Sequence, residues 1–173
     1  MPRDSLIMQT KYYVVPQMKD VLRPCEASIR KLETSLKNLG LDYIDNYLLH
    51  GPIHVQSIKT IAKSIADRVD KGMTKSIDVA NYSLEDMITM QEEMANYGIP
   101  LAITQVQFSV LRCPLELSGL LQACEERGIV IQSYSSLAQG RLTGKYTSAY
   151  PPPKQYRFSS YDVKDMEPVN ALL

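Results

Sequence analysis

The sequence predicts an α/β fold in which about five parallel strands alternate with helices. Short apolar runs of strand character recur along the chain, and segments with helical apolar stripes separate them. Successive runs lie roughly 26 to 37 residues apart, which leaves room for one crossover helix between parallel strands. Two architectures fit: an open doubly wound sheet, or part of an eight-stranded barrel. The first is disfavoured because no G-x-G-x-x-G fingerprint follows the first strand.

Turn and cap signals set the limits of the elements. Pro24 suits a first helical turn and Gly40 a helix end, Ser57 is a candidate N-cap, and Ser83 with Asp86 resembles a capping box. The predicted strands are 5–15, 43–50, 75–81, 101–111 and 129–136, and the predicted helices are 23–40, 57–71, 83–97 and 114–127.

Each predicted helix carries an apolar stripe at helical spacing, which is typical of a core-facing surface. The methionines among these residues are interpreted as core filler, since an unbranched thioether adapts to irregular gaps. The stripes are Ile29, Leu32, Leu36 and Leu39; Ile58, Ile61, Ala62, Ile65 and Val69; Met87, Met90 and Met94; and Leu117, Leu120, Leu121 and Cys124.

Composition limits the class of protein. A formal net charge of zero without a Lys/Arg-rich run disfavours nucleic acid as a partner. No apolar run is long enough for a membrane span, and the first residues do not resemble a signal peptide. Three widely spaced cysteines suggest neither a disulfide framework nor a zinc site, so we expect a cytoplasmic protein without metal. His50 and His54 do not form a helical metal pair, because Gly51 and Pro52 lie between them.

We expect one domain over residues 1–173. Its last part, 147–173, contains four of the ten prolines and predicts a loop followed by the start of a final helix.

Polar residues recur at the predicted carboxyl ends of the strands. Parallel α/β folds collect their functional groups there, and hydrogen-bond donors at such a rim could bind a carbonyl oxygen or an amide. Any one of these residues alone is more typical of a satisfied rim residue, whereas the set together favours a function. The set comprises Lys11, His50, Asn81, Gln105, and Tyr134 with the residues after it.

Four segments, in order and spacing, resemble the aldo-keto reductases, in particular the pyridoxal-reductase-like and auxin-induced-protein-like branch. They are "SLKNLGLDYIDNYLLHGP", "SIDVANYS", "ITQVQFSVLRC" and "GIVIQSYSSLAQGRLTGKY". The family consists of (β/α)₈ TIM barrels that reduce carbonyls to alcohols with NADPH. The resemblance therefore implies a partial barrel, matching strands three to seven. "IDVAN" departs from the family's Gly-Val-Ser-Asn pattern.

The resemblance implies a role for each rim residue. Lys11 would be the lysine that lowers the pKa of a catalytic tyrosine, and His50 would donate to or orient the substrate carbonyl. Asn81 and Gln105 would hold the nicotinamide carboxamide. The remaining cofactor contacts implied are a ring stack from Tyr134 and a pyrophosphate lining from Ser135, Leu137, Gln139 and Arg141.

The matching segments also imply what is lacking. In the family, the catalytic tyrosine and its aspartate come from the second strand and the segment after it, and neither Tyr12 nor Tyr13 matches that tyrosine. The eighth strand, which grips the 2′-phosphate, is likewise not matched. We therefore expect weak NADPH binding and weak or absent reduction of a small-molecule carbonyl.

Five strands of eight cannot close a barrel, so each edge strand would be unpaired. Either the sheet flattens or a partner covers it, and we expect self-association. Two other functions stay open: a cofactor-independent isomerase, lyase or cyclase that uses His50 and Lys11 as acid and base, or a pseudoenzyme with an interaction role.

Overall fold

The computed structural model describes residues 1–13, 23–52, 56–113, 118–153 and 167–171. Within these ranges, strands and helices alternate along the chain as predicted. The strands are β1 (Gln9–Tyr12), β2 (Ile44–Leu49), β3 (Thr74–Ala80), β4 (Ile103–Gln107) and β5 (Val130–Tyr134). The helices are α1 (Pro24–Leu39), α2 (Ile58–Asp70), α3 (Leu84–Ala95), α4 (Leu120–Arg127) and α5 (Glu167–Asn170).

The five strands form one sheet in the order β1-β2-β3-β4-β5. The pairs β1–β2, β2–β3 and β3–β4 are parallel, with Lys11 beside Leu48, Leu48 beside Asp78, and Ala80 beside Gln105. Sequential parallel strands joined by helices are the arrangement of a (β/α) barrel. The predicted fold class is confirmed.

Local capping explains where the helices begin and end. The Ser57 hydroxyl accepts the backbone N–H of Thr60 at 3.2 Å, and the Ser83 hydroxyl accepts that of Asp86 at 3.1 Å. Both contacts satisfy N–H groups that a helix start leaves without an intrahelical partner. Helix α1 ends at Gly40, which adopts the left-handed φ of 64°. The N-cap predictions for Ser57 and Ser83 and the helix end at Gly40 are confirmed.

The first two helices pack on the sheet and on neighbouring helices. Helix α1 packs against β1 and α2, and α2 packs against β3 and α3. The three predicted core methionines are buried, as are most members of the other stripes within the described residues. Two stripe predictions are wrong. Leu39, in the last turn of α1, is 46% exposed, and Leu121, in the first turn of α4, is 50% exposed.

Three element limits differ from the prediction by four residues or more. Residues 3–5 form a 3₁₀ helix, so the first strand begins at Gln9 rather than at residue 5. The fourth strand ends at Gln107, because Ser109 and Arg112 exchange backbone hydrogen bonds in a tight turn. Helix α4 begins at Leu120, since Gly119 has a φ of 71° that no right-handed helix contains. Residues 114–117, including Leu117, lie outside the described residues.

Two compact parts of the chain are recognisable. The first comprises residues 1–106 and 118–132, and the second comprises 107–117 and 133–173. The first contains the four long helices and most of the sheet. The second contains the segments that follow β4 and β5, a 3₁₀ helix at Ala138–Thr143, and α5. Residues 154–166 of the predicted proline-rich tail lie outside the described residues, and the single-domain assignment stays a prediction.

The sheet is curled rather than flat. A flat sheet would separate its first and fifth strands by four spacings of about 4.8 Å, or about 19 Å. Yet the side-chain amide of Gln9 in β1 donates to Gln132 Oε1 in β5 at 3.0 Å. Two glutamine side chains cannot bridge the flat distance, so the sheet must bend until its edge strands face each other across the inner surface. The alternative that the sheet flattens is wrong.

Candidate active site

Lys11 and His50 lie on neighbouring strands at the same rim of the sheet. Lys11 belongs to β1, and His50 follows β2 directly. The backbone N–H of His50 donates to the carbonyl of Tyr12 at 3.0 Å, which ties the end of β2 to the end of β1. Because parallel strands present their carboxyl ends at one rim, both side chains belong to the edge where such folds perform chemistry.

The environment weakens the positive charge on both groups. Burial lowers the pKa of the Lys11 ammonium. The pKa of His50 is also lowered, first by burial and then by the positive charge of Lys11. His50 is therefore a neutral imidazole at pH 7, able to donate a hydrogen bond through one nitrogen and accept through the other.

Gln105 links Lys11 to a network of amides. The Lys11 ammonium donates to Gln105 Oε1. Gln105 Nε2 in turn donates to Gln132 Oε1 at 2.5 Å, and that oxygen also accepts Gln9 Nε2. An amide carries two donors and two acceptor lone pairs, so these contacts leave Gln105 a second donor and a second acceptor for a ligand.

Asn81 connects the ends of β2, β3 and β4. Its backbone N–H donates to the carbonyl of Gln105 at 2.9 Å, and its side-chain Nδ2 donates to the carbonyl of His50 at 3.2 Å. Asn81 has a φ of 59°, a left-handed conformation that asparagine tolerates better than most residues. The side chain is exposed at the rim.

The structure thus brings four predicted site residues together: Lys11, His50, Asn81 and Gln105. Each contacts or electrostatically influences another member of the group. Their roles toward a carbonyl substrate or a nicotinamide carboxamide stay predictions.

The second compact part contains the other predicted cofactor residues. Tyr134 ends β5, and its carbonyl accepts the backbone N–H of Phe108 at 3.3 Å. Ser135 follows with a φ of 54°, and its carbonyl accepts the N–H of Ala138 at 2.7 Å. Leu137 is 60% exposed, so its side chain is accessible from solvent.

Arg141 is buried, with 1% of its surface exposed. Its Nη1 donates to Gln139 Oε1 at 3.3 Å and to the carbonyl of Ala138 at 3.5 Å. The guanidinium therefore holds the turn that contains Gln139, and it lies beneath this turn rather than on its surface. Contact with a pyrophosphate stays a prediction for Ser135, Leu137, Gln139 and Arg141.

Backbone strain coincides with these segments. Among the described residues, the non-glycine residues with positive φ are Asn81, Ser135, Ala138 and Gln139. A side chain in this conformation costs on the order of 1 kcal/mol or more, and such residues cluster at binding and catalytic sites. Asn81, Ser135 and Gln139 were predicted as site residues from the sequence. Ala138 lies between the predicted site residues Leu137 and Gln139.

Three residues of this rim were not predicted from the sequence. Gln9 and Gln132 form the amide network, and the ring of Tyr13 contacts that of His50 edge-on, with centroids 4.8 Å apart. The two-residue spacing of Gln9 and Lys11 on one strand was the available signal, because alternate residues face the same side. For Gln132, the signal would have been a polar residue inside an apolar strand.

Comparison with known proteins decides the family. The sequence profile described as "Aldo/keto reductase family" matches residues 1–170. The chain belongs to the aldo/keto reductase family. Relatives include L-glyceraldehyde 3-phosphate reductase of Escherichia coli (strain K12), 29% identical over 96% of this chain and 49% of that protein. Aldo-keto reductase YhdN of Bacillus subtilis (strain 168) is 30% identical over 96% of this chain and 47% of that protein.

Solved structures of aldo/keto reductases share the fold. The glycerol dehydrogenase AKR11B4 from Gluconobacter oxydans superimposes with a TM-score of 0.70 at 26% identity, covering 79% of this chain and 40% of that one. MGS-M4, an aldo-keto reductase from a deep-sea metagenome library, superimposes with a TM-score of 0.65 at 24% identity, over 86% and 50% of the two chains. The chain spans about half the length of the curated relatives it matches.

Two features of the described residues bear on partners. None of their helices combines the length and apolarity that crossing a bilayer requires. In the same ranges, no three His, Cys, Asp or Glu side chains are grouped as a metal site would need.

Proposed function

We propose that this chain reduces a small-molecule carbonyl to an alcohol with NADPH, at the rim formed by Lys11, His50, Asn81 and Gln105. The observation that carries the proposal is their hydrogen-bonded arrangement at the carboxyl ends of neighbouring strands of an aldo/keto reductase fold. The relatives' names, which include reductases of an aldehyde and of pyridoxal, support a carbonyl substrate.

The donor set fits a nicotinamide cofactor. Gln105 retains one amide donor and one acceptor, which matches a carboxamide. Asn81, whose backbone N–H donates to the Gln105 carbonyl, adds an exposed side-chain amide at the same rim. Reduced nicotinamide, when bound, would supply the hydride that attacks the carbonyl carbon.

His50 and Lys11 would act on the carbonyl oxygen. The neutral imidazole would donate a hydrogen bond that orients the carbonyl, and the nearby ammonium would stabilise negative charge developing on the oxygen. A lowered pKa makes Lys11 a better proton donor than an ordinary lysine, because proton loss costs less. General acid catalysis is worth about 10²- to 10⁴-fold, and a neutral imidazole is a poor acid. We therefore expect slow turnover when His50 and Lys11 supply the proton.

We also propose a cytosolic location and self-association. The three cysteines carry free thiols, which supports a reducing compartment.

Ile7, next to edge strand β1, is 81% exposed, and Val130, at the start of edge strand β5, is 63% exposed. Apolar residues at unpaired sheet edges favour pairing with another chain. A clean monomer in light scattering at micromolar concentration would refute self-association.

Fluorescence titration with NADPH and NADH tests the cofactor. The chain has no tryptophan, so the titration follows the emission of the reduced cofactor itself. We expect this emission to change on binding, and the affinity to fall in Gln105→Leu, because the substitution removes both amide contacts. Gln91→Leu is the matched control, since Gln91 lies on helix α3, where its side chain contacts Arg127. No binding of either cofactor would refute the proposal.

Turnover tests the catalytic residues. Consumption of NADPH with aldehyde substrates should fall in His50→Ala and in Lys11→Met. A reaction that proceeds without cofactor and is lost in His50→Ala would instead support the isomerase, lyase or cyclase alternative. Binding of cofactor without any turnover would support a pseudoenzyme.

A further inference from the structure

Gln132 occupies a central position in the amide network. Its Oε1 accepts two hydrogen bonds, from Gln105 Nε2 at 2.5 Å and from Gln9 Nε2 at 3.0 Å. Its own Nε2 donates back to Gln9 Oε1 at 3.4 Å. The reciprocal pair couples the orientations of the two amides, because exchanging oxygen and nitrogen in Gln132 alone would oppose donor to donor.

The orientations of the Gln132 and Gln105 amides are coupled. An amide that presents Nε2 to the Gln132 oxygen must present Oε1 on its opposite side, where the Lys11 ammonium donates to it. Were the Gln105 amide turned over, its NH₂ group would face the ammonium, and two donors would oppose each other. The Gln132 oxygen therefore favours the orientation of Gln105 in which an acceptor faces Lys11.

We propose that Gln132 is a positioning residue for Lys11, acting through the amide of Gln105 and anchored by Gln9. Its catalytic meaning rests on the proposed function, in which Lys11 faces the carbonyl oxygen. The positioning itself concerns the state of Lys11 and can be measured without turnover.

The consequence for Lys11 has a definite sign. A hydrogen bond from the ammonium to Gln105 Oε1 stabilises the charged form, and it partly offsets the burial that favours the neutral amine. Losing the partner that orients this acceptor should lower the pKa of Lys11 and raise the reactive amine fraction about three- to tenfold at a pH below that pKa. Among the described residues, His50 is a titratable group on which the charge of Lys11 acts. Measurements above pH 8 keep His50 neutral.

Competitive acylation of lysines with trace acetic anhydride, read by mass spectrometry from pH 8 to 11, measures the pKa of Lys11. The exposed lysines Lys59 and Lys63 on α2 serve as internal standards. Three variants separate the causes. Gln132→Leu removes the acceptor, Gln132→Glu keeps an acceptor and adds negative charge, and Gln9→Leu breaks the same edge-to-edge pair while leaving the acceptor for Gln105.

We expect Gln132→Leu to lower the pKa of Lys11, Gln132→Glu to keep or raise it, and Gln9→Leu to change it less than Gln132→Leu does. Equal shifts in Gln132→Leu and Gln9→Leu would assign the effect to opening of the sheet and overturn the proposal. A lowered pKa of Lys11 in Gln132→Glu would also overturn the proposal. This result is sufficient by itself if Gln132→Leu does not fold. A chain without reductase activity would refute the proposed function and leave the acylation result unaffected.

Discussion

Replacing Asp78 with alanine should destabilise the protein strongly, although Asp78 contacts no predicted site residue. Its buried carboxylate accepts four hydrogen bonds. Oδ1 accepts the backbone N–H groups of Ala102 and Ile103, both at 2.8 Å, at the start of β4. Oδ2 accepts the Ser76 hydroxyl at 2.7 Å and the Asn46 amide at 3.1 Å. One side chain thus joins β2, β3 and β4.

The magnitude follows from the groups left behind. A buried donor that loses its acceptor costs about 1–3 kcal/mol, so the two backbone N–H groups together account for about 2–6 kcal/mol. Ala102 and Ile103 are only half-buried, and the removed carboxylate no longer has to be desolvated, so the lower half of that range applies. We expect a loss of about 2–4 kcal/mol, which lowers the Tm by roughly 4–16 °C for a chain of this size.

Asp78→Asn separates hydrogen bonding from charge. Burial raises the pKa of the Asp78 carboxyl, against the opposing effect of its hydrogen bonds, so the folded protein bears a cost for that charge. Asparagine keeps an oxygen for the two backbone N–H groups and removes the charge, and we expect it to lie within about 1 kcal/mol of the wild type.

Urea unfolding monitored by circular dichroism measures both variants. Asp67→Ala is the matched control, because Asp67 is 53% exposed and its ion pair with Lys71 is worth little at the surface. An Asp78→Ala variant as stable as the wild type would refute the reasoning. Equal destabilisation by alanine and asparagine would show that the charge, not the acceptor oxygen, matters.

Other changes should alter titration in directions set by the structure. Burial would raise the pKa of Asp45, but hydrogen bonds from Lys75, the Met8 N–H and Arg3 outweigh it and hold that pKa well below its usual range. The ionised Asp45 carboxylate therefore stabilises the fold above the unfolded pKa of about 4, and this stabilisation is lost as pH falls below it. The difference in unfolding free energy between wild type and Asp45→Asn should shrink from pH 5 to pH 2 in urea unfolding. Lys11→Met should raise the pKa of His50 toward its usual value, since it removes the nearby positive charge, and NMR titration of the imidazole measures this. Tyr13→Ala should also raise the pKa of His50 by exposing its imidazole ring, whereas Tyr13→Phe should not. An unchanged pKa of His50 in Lys11→Met would contradict the charge effect, and an unchanged pKa in Tyr13→Ala would contradict the burial effect.

Much of the fold could be predicted because its signals are local. The spacing of Met87, Met90 and Met94 identifies a helix face, and a serine before an apolar stripe identifies a helix start, whatever the rest of the chain does. The exposure of Leu39 and Leu121 was not predicted, because apolar periodicity does not reveal which helix ends project beyond their neighbours. Gly119 was read as part of a helix, and only its left-handed φ excludes it.

The site was predictable only in part, for a related reason. Strand ends mark Lys11, His50, Asn81 and Gln105 as rim residues, because parallel strands align their carboxyl ends. The place of Gln132 in the site depends instead on the curl of the sheet, which brings β5 opposite β1. Likewise, Asp78 stands at the glycine of the family's Gly-Val-Ser-Asn pattern, and its four donors come from three strands. Contacts across the sheet leave no periodic signal in a single sequence.

The contact between Gln9 and Gln132 has a consequence for the order of folding. It joins residues 123 positions apart in the chain, whereas neighbouring strands are joined by much shorter loops. Closing a longer loop costs more chain entropy, so this pair should form after the strand pairs between it. It should also be among the first contacts to break. Hydrogen exchange would then find β1 and β5 opening at lower free energy than β2 and β3, which makes completion of the candidate site the last event of folding.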